Sequence, residues 1–174
     1  MKKIIQAHLI GEIISSNSSE AHSLYQKSTF GEPKANKIQY TLSEALFLVE
    51  KGKLKILDSR NKTIPEKELQ KKLQKIDKKL NLKYVVFKDL REKGYVVKTA
   101  LKFGADFRVY DKNKRPGKEH AKWIVFVEHE TKKTSWHEFS AKNRVAHSTK
   151  KNLLIAIIDE ESDITYYEVS WKKP

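Results

Sequence analysis

The chain has 174 residues, with 36 Lys and Arg against 22 Asp and Glu, a net charge of +14 and no cysteine. That length suits one ordinary domain or two small ones, and the positive excess favours a polyanionic partner, nucleic acid above all. The composition excludes disulfides and thiolate metal sites. No apolar run approaches the roughly 20 residues that span a bilayer, and the N-terminus lacks the apolar core of a signal peptide, so a cytoplasmic protein with no membrane partner is expected.

The charge is not confined to a tail. Residues 1–80 hold 16 Lys/Arg against 9 Asp/Glu, and residues 81–174 hold 20 against 13. Residues 3–15 read as two short strands around Gly11. Residues 16–36 are polar and predict a loop with a short helix, and 37–40 a strand. Thr41 or Ser43 is placed to cap a helix over 44–51 that stops at Gly52. Residues 54–57 are strand-like. Pro65 opens a helix whose apolar positions Leu69, Leu73 and Ile76 recur every three or four residues, and whose other face is Lys-rich and solvated.

A joint between domains is expected near 79–82, with a helix over 84–93 ending at Gly94. From Tyr95 the pattern changes. Residues 95–100, 106–110, 123–128, 153–159 and 164–171 are rich in β-branched and aromatic residues and predict strands. A helix is predicted at 136–150, between the third and fourth. The second half therefore reads as a sheet with a helix on each side.

The chemistry-bearing segments lie in that second half. They read Phe103-Gly-Ala-Asp-Phe-Arg-Val-Tyr110, then Glu119-His120-Ala-Lys, then Arg144-Val-Ala-His-Ser-Thr-Lys-Lys151. Tyr110 ends a strand before a polar loop, His120 follows that loop, and Lys151 ends a basic cluster. A phenol, an imidazole and an ammonium can supply a base, an acid and a fixed positive charge without a metal. Taken singly, each has a plainer reading: a half-buried tyrosine, a surface histidine, and a lysine at the positive-favouring end of a helix. If 136–151 is helical throughout, Arg144, His147 and Lys151 fall on one face as a basic stripe. Asp159-Glu160-Glu161-Ser-Asp163 is the most acidic patch, on a predicted hairpin loop.

These segments resemble the archaeal-type tRNA-splicing endonucleases, most specifically from Leu82 to Lys173. The resemblance implies an α+β protein: an N-terminal α+β domain over 1–80, then a catalytic domain over 81–174 with a restriction-nuclease-like mixed central sheet flanked by helices. It implies that precursor tRNA is cut at bulge–helix–bulge junctions, with no metal or cofactor. Tyr110 is then the general base on the 2′-hydroxyl, His120 the general acid, and Lys151 the stabiliser of the phosphate charge. Arg144 would stack on a bulged base, with Trp171 as the facing jaw. The acidic loop, Asp159, Glu160, Glu161 and Asp163, would enter a basic groove of a neighbouring subunit, giving a homotetramer. The last strand, with its two tyrosines and Trp171, would supply the apolar part of that contact. Two other readings are a metal-dependent restriction-type nuclease, using Glu130-Thr-Lys132 after Asp106 or Asp111, and a non-catalytic RNA-binding subunit.

Overall fold

The computed structural model describes residues 4–174. The chain divides into two compact units, Met1–Tyr84 and Val85–Pro174. In the first, β1 (Ile5–Ile10) and β2 (Ile13–Ser16) form a hairpin, followed by α1 (Ser19–Ser28), β3 (Glu32–Lys34), β4 (Lys37–Tyr40), α2 (Leu42–Glu50), β5 (Leu54–Leu57) and α3 (Glu66–Ile76). The sheet order is β3-β4-β2-β1-β5. It is mixed, because β5 pairs with β1 in parallel while the other pairs are antiparallel. The three-residue β3 was not expected from sequence; Pro33 sits in it, as proline can on an edge strand.

Helix α2 is anchored by a capping box. The Thr41 hydroxyl accepts from the Glu44 amide at 3.2 Å, and the Glu44 carboxylate accepts from the Thr41 amide at 3.0 Å. Its other oxygen accepts from the Gly31 amide at 3.0 Å, so this buried carboxylate ties α2 to the turn before β3. Gly31 has φ +76°, and a Cβ there would lie 2.3 Å from the Ile38 side chain, so only glycine fits.

The second unit follows from α4 (Leu80–Glu92), which begins before the unit does and four residues earlier than the 84–93 helix expected from sequence. Residues 80–82 thus lie in the first turn of this helix. Then come β6 (Val96–Ala100), a 3₁₀ turn (Leu101–Phe103), β7 (Ala105–Tyr110), β8 (Trp123–His129), α5 (Trp136–Ser148), β9 (Asn152–Ile158) and β10 (Ile164–Val169). The sheet order is β10-β9-β8-β7-β6. Only β8 and β9 are parallel, and α5 is the crossover that a parallel pair requires.

Strand alternation gives each face of this sheet a helix. On one face Ile124, Phe126 and Leu153 pack with Ala146 and Val145 of α5. On the other, Phe107 lies opposite Val125 and meets Phe87 of α4 at 6.0 Å. Tyr166 also turns to that face and donates to Asp89 at 2.7 Å. Its hydroxyl is held well above the ordinary phenol pKa, first by burial and then by the Asp89 carboxylate. Tyr166 is therefore committed inside the unit. Of the aromatic residues expected on a subunit contact, Tyr167 and Trp171 are the exposed ones. Both units are mixed α and β, and the α+β class expected from the sequence holds.

Candidate active site

Three segment ends meet at one end of the second sheet. Val109 of β7 lies opposite Trp123 of β8, and Trp123 lies opposite Asn152 of β9. Tyr110 closes β7, Lys151 immediately precedes β9, and His120 lies just ahead of β8. The Lys122 amide donates to the Val109 carbonyl at 2.7 Å, and the Asn152 amide to the Lys122 carbonyl at 3.2 Å, which locks the ends side by side. They border a cavity of about 260 Å³ whose lining includes Arg108, Tyr110, Lys118, Glu119, His120 and Lys151. That volume is near the small end for ligand sites. It suits a phosphodiester and its immediate neighbours better than an enclosed nucleotide.

Tyr110 is more buried than a strand-end tyrosine taken singly suggests, at 3% exposure, and packs with Val96 and Ala121. Ala121 supplies the apolar surface behind the phenol. The ring is therefore fixed by packing on both sides of its strand end.

His120 is exposed and gets its position from the loop before it. Glu119 closes that loop: its carboxylate accepts from Lys114 Nζ at 2.7 Å and from the Arg115 amide at 2.9 Å. These two bonds, the Lys114 one first, hold the Glu119 carboxyl below its ordinary pKa, and Glu119 in turn raises that of Lys114. Gly117 supplies the φ of +90° that the turn needs.

Lys151 is placed by a helix terminus. α5 starts from a second capping box, in which the Ser135 hydroxyl accepts from the Glu138 amide at 3.2 Å and the Ser135 amide donates to the Glu138 carboxylate at 3.0 Å. It stops where Lys150 takes the left-handed conformation at φ +55°. The Lys150 amide then donates to the His147 carbonyl and the Lys151 amide to the Ala146 carbonyl, each at 2.9 Å. This paired pattern is a Schellman motif, with Lys150 where glycine is usual. It turns the chain sharply off α5, so Lys151 does not continue the Arg144–His147 face as an unbroken helix would require. Lys151 Nζ donates to the Thr149 carbonyl at 2.6 Å. Its ammonium pKa is lowered, chiefly by partial desolvation and then by the charge of Arg108.

Arg108 was not singled out in the sequence. The signal was present, since a charged residue two positions before Tyr110 on a strand must share its face.

Arg144 and Trp171 lie outside the cavity lining. Both are exposed, and Trp171 stands beyond the end of β10, with its ring edge-on to His147 at 4.4 Å. His147 is three residues from Arg144 on α5, so these groups occupy neighbouring positions on one surface.

The acidic loop joins β9 to β10 at the other end of the sheet. Asp159 is spent on the loop itself, accepting from the amides of Glu161 at 3.0 Å and Asp163 at 2.8 Å. The outward charge is carried by Glu160, Glu161 and Asp163, which are exposed. The carboxylates of the restriction-type reading are not gathered. Asp106 accepts from the Val127 amide at 2.8 Å, Asp111 lies 3.7 Å from Lys122, and Glu130 sits in the turn after β8. Among the described residues, no group of three or more His, Asp or Glu side chains is arranged to hold a metal ion. None of the described helices is long and apolar enough to cross a membrane.

Fold and cavity together define a two-unit α+β protein whose second unit gathers acid–base and cationic side chains at one sheet end. Sequence comparison gives this class its family. Residues 5–70 match the tRNA intron endonuclease N-terminal domain and residues 80–166 the tRNA intron endonuclease catalytic C-terminal domain. The chain is 42% identical over 174 residues to a tRNA-splicing endonuclease of Pyrococcus abyssi, covering 99% of each chain. It is 37% identical to that of Methanothermobacter thermautotrophicus over 98% of this chain and 99% of the relative. It is 44% identical to that of Nanoarchaeum equitans over 76% of this chain and 88% of the relative. The chain belongs to the tRNA intron endonuclease family.

Proposed function

We propose that this protein is a tRNA-splicing endoribonuclease that excises introns from precursor tRNA at bulge–helix–bulge junctions, by a step that uses no metal. The observation that carries this reading is the meeting of a phenol, an imidazole and an ammonium at one small cavity in a protein of this family. Tyr110 takes the proton of the 2′-hydroxyl, the O2′–P bond forms, and the P–O5′ bond breaks as His120 gives a proton to the departing 5′-oxygen. Lys151 offsets the charge that builds on the phosphorus oxygens, an effect usually worth several kcal/mol. The products are a 2′,3′-cyclic phosphate and a 5′-hydroxyl. A free phenol is a weak base at neutral pH, so the transfer to Tyr110 is the step in which the charges around the cavity matter most.

Bulged nucleotides suit this site because their bases are already unstacked, whereas a continuous A-form helix offers mainly shape. Arg144 and Trp171 hold such a base between a guanidinium and an indole, a contact worth roughly 1–3 kcal/mol. The active form is a homotetramer. In support, the acidic loop cannot serve its own cavity: the seven residues of β9 separate the two, about 23 Å at the usual strand rise. The exposed carboxylates of Glu160, Glu161 and Asp163 are thus left for a basic groove on another subunit, where complementary charge sets register.

The test is incubation of the purified protein with a bulge–helix–bulge RNA in excess chelator, followed by end-group analysis and a mass measurement by light scattering. Cyclic phosphate and 5′-hydroxyl ends from a tetramer are expected. A 3′-hydroxyl product, or cleavage abolished by chelator, contradicts the chemistry.

A further inference from the structure

We propose that Arg108 is a fourth catalytic group, whose guanidinium holds a non-bridging oxygen of the scissile phosphate beside Lys151. This deepens the splicing reading and rests on it.

Arg108 reaches the cavity by strand geometry. It lies two residues before Tyr110 on β7, so the two side chains share a face about 7 Å apart along the strand. The face is the one α5 covers, because Arg108 lies opposite Ile124, a core residue under that helix. Across β6 its register partner is Lys98, which is buried. The sheet therefore places two basic side chains at one register position beside the cavity.

Charge in the cavity wall points to an anion. Arg108, Lys118 and Lys151 stand against one acidic lining residue, Glu119, whose carboxylate is already bonded to Lys114 and the Arg115 amide. Lys118 is exposed on the loop, whereas Arg108 and Lys151 are half-buried, one on a strand and one at a helix terminus. Arg108 also depresses the Lys151 pKa, so the two cations feel each other directly. An anion between them relieves that repulsion.

The reaction needs more charge than Lys151 supplies. As the 2′-oxygen attacks, the phosphorus oxygens approach a dianion, and one ammonium offsets half of it. Lys151 also gives one N–H to the Thr149 carbonyl. A guanidinium adds a planar fork that matches phosphate geometry, which an ammonium does not.

The experiment compares single-turnover cleavage by the parent, Arg108→Gln and Arg108→Lys. The substrates are a bulge–helix–bulge RNA and its two phosphorothioate diastereomers at the scissile position. Arg108→Gln is expected to slow cleavage by about 10²–10³-fold, the usual loss for one donor to a developing oxyanion, with RNA affinity nearly unchanged. The diastereomer preference of the parent should collapse in both variants. Should Arg108→Gln fail to fold, Arg108→Lys carries the same comparison. Variant rates within twofold of the parent overturn the proposal, as does an equal loss on both diastereomers, which would mean Arg108 acts only through the fold. A parent that leaves the unmodified RNA intact sinks the splicing reading itself, a result distinct from either.

Discussion

The two units have similar materials and use them differently. Each is a five-stranded mixed sheet with one parallel pair, and each half of the chain has the same positive excess. In the first unit the lysines line the outer face of α3, and the Ile4–Leu54–Ile64 cavity is walled largely by aliphatic side chains. In the second, the parallel pair β8–β9 has its crossover helix end in a sharp turn, and that turn carries Lys151 to the sheet end where β7 delivers Arg108 and Tyr110. Net charge therefore does not distinguish a site from a solvated face. What distinguishes them is whether strand register forces cations together where water is partly excluded.

The strongest way to break this contrast is to remove its chemistry. Lys151→Ala should slow single-turnover cleavage by about 10²–10³-fold and His120→Ala by about 10²–10⁴-fold, with RNA binding retained in a filter or gel-shift assay. Thr63→Ala, in the cavity of the first unit, should leave the rate unchanged. Equal losses from both units would erase the distinction.

The turn after α5 offers a finer test. Lys150→Gly should keep full activity and add up to about 1 kcal/mol of stability, since a non-glycine residue in the left-handed region costs about 1–2 kcal/mol and glycine returns part of that as chain entropy. Lys150→Val should unseat Lys151 and slow cleavage by up to about 10²-fold, the scale of a 1 Å misplacement. Chemical denaturation and single-turnover kinetics read the two effects separately.

The pH dependence follows from the lowered Lys151 pKa. Below its folded-state value Lys151 is charged in folded and unfolded chains alike, and its desolvation and the Arg108 repulsion weigh fully against the fold. Between that value and 10.5 the unfolded chain holds more protons, so this residue's contribution to stability improves as pH rises. Cleavage moves the other way, because the lost charge is the catalytic one. An alkaline limb should appear in the rate profile below pH 10.5, and Arg108→Gln should move it upward. A limb that stays in place in that variant would separate the two cations.

The smallest effects belong to the helix caps. Thr41→Ala in the first unit and Ser135→Ala in the second should each cost about 1 kcal/mol in denaturant unfolding. Neither should change the cleavage rate of the folded protein.

Much of the fold was legible because its signals are local. The apolar spacing of Leu69 and Leu73 marked α3, the cap candidates Thr41 and Ser43 marked the neighbourhood where α2 starts, and the β-branched runs marked β6 to β10. Two misplacements were local conflicts. The helix expected over 84–93 starts earlier, at Leu80, which is buried. Trp171 lies outside β10 although the aromatic run continues to it.

By itself the sequence determined every α-helix and β-strand but β3, the order of the others, the charge and the family, because propensity, capping and motif spacing act over a few residues or are compared position by position. The tertiary structure decided which side chains share a cavity. Register between β7, β8 and β9 is set by long-range pairing, so it alone aligns Tyr110 with Lys151 and brings Arg108 into the same wall. The left-handed turn at Lys150 is likewise chosen by the packing of α5 on the sheet, and it takes Lys151 off the helical face that its spacing suggested.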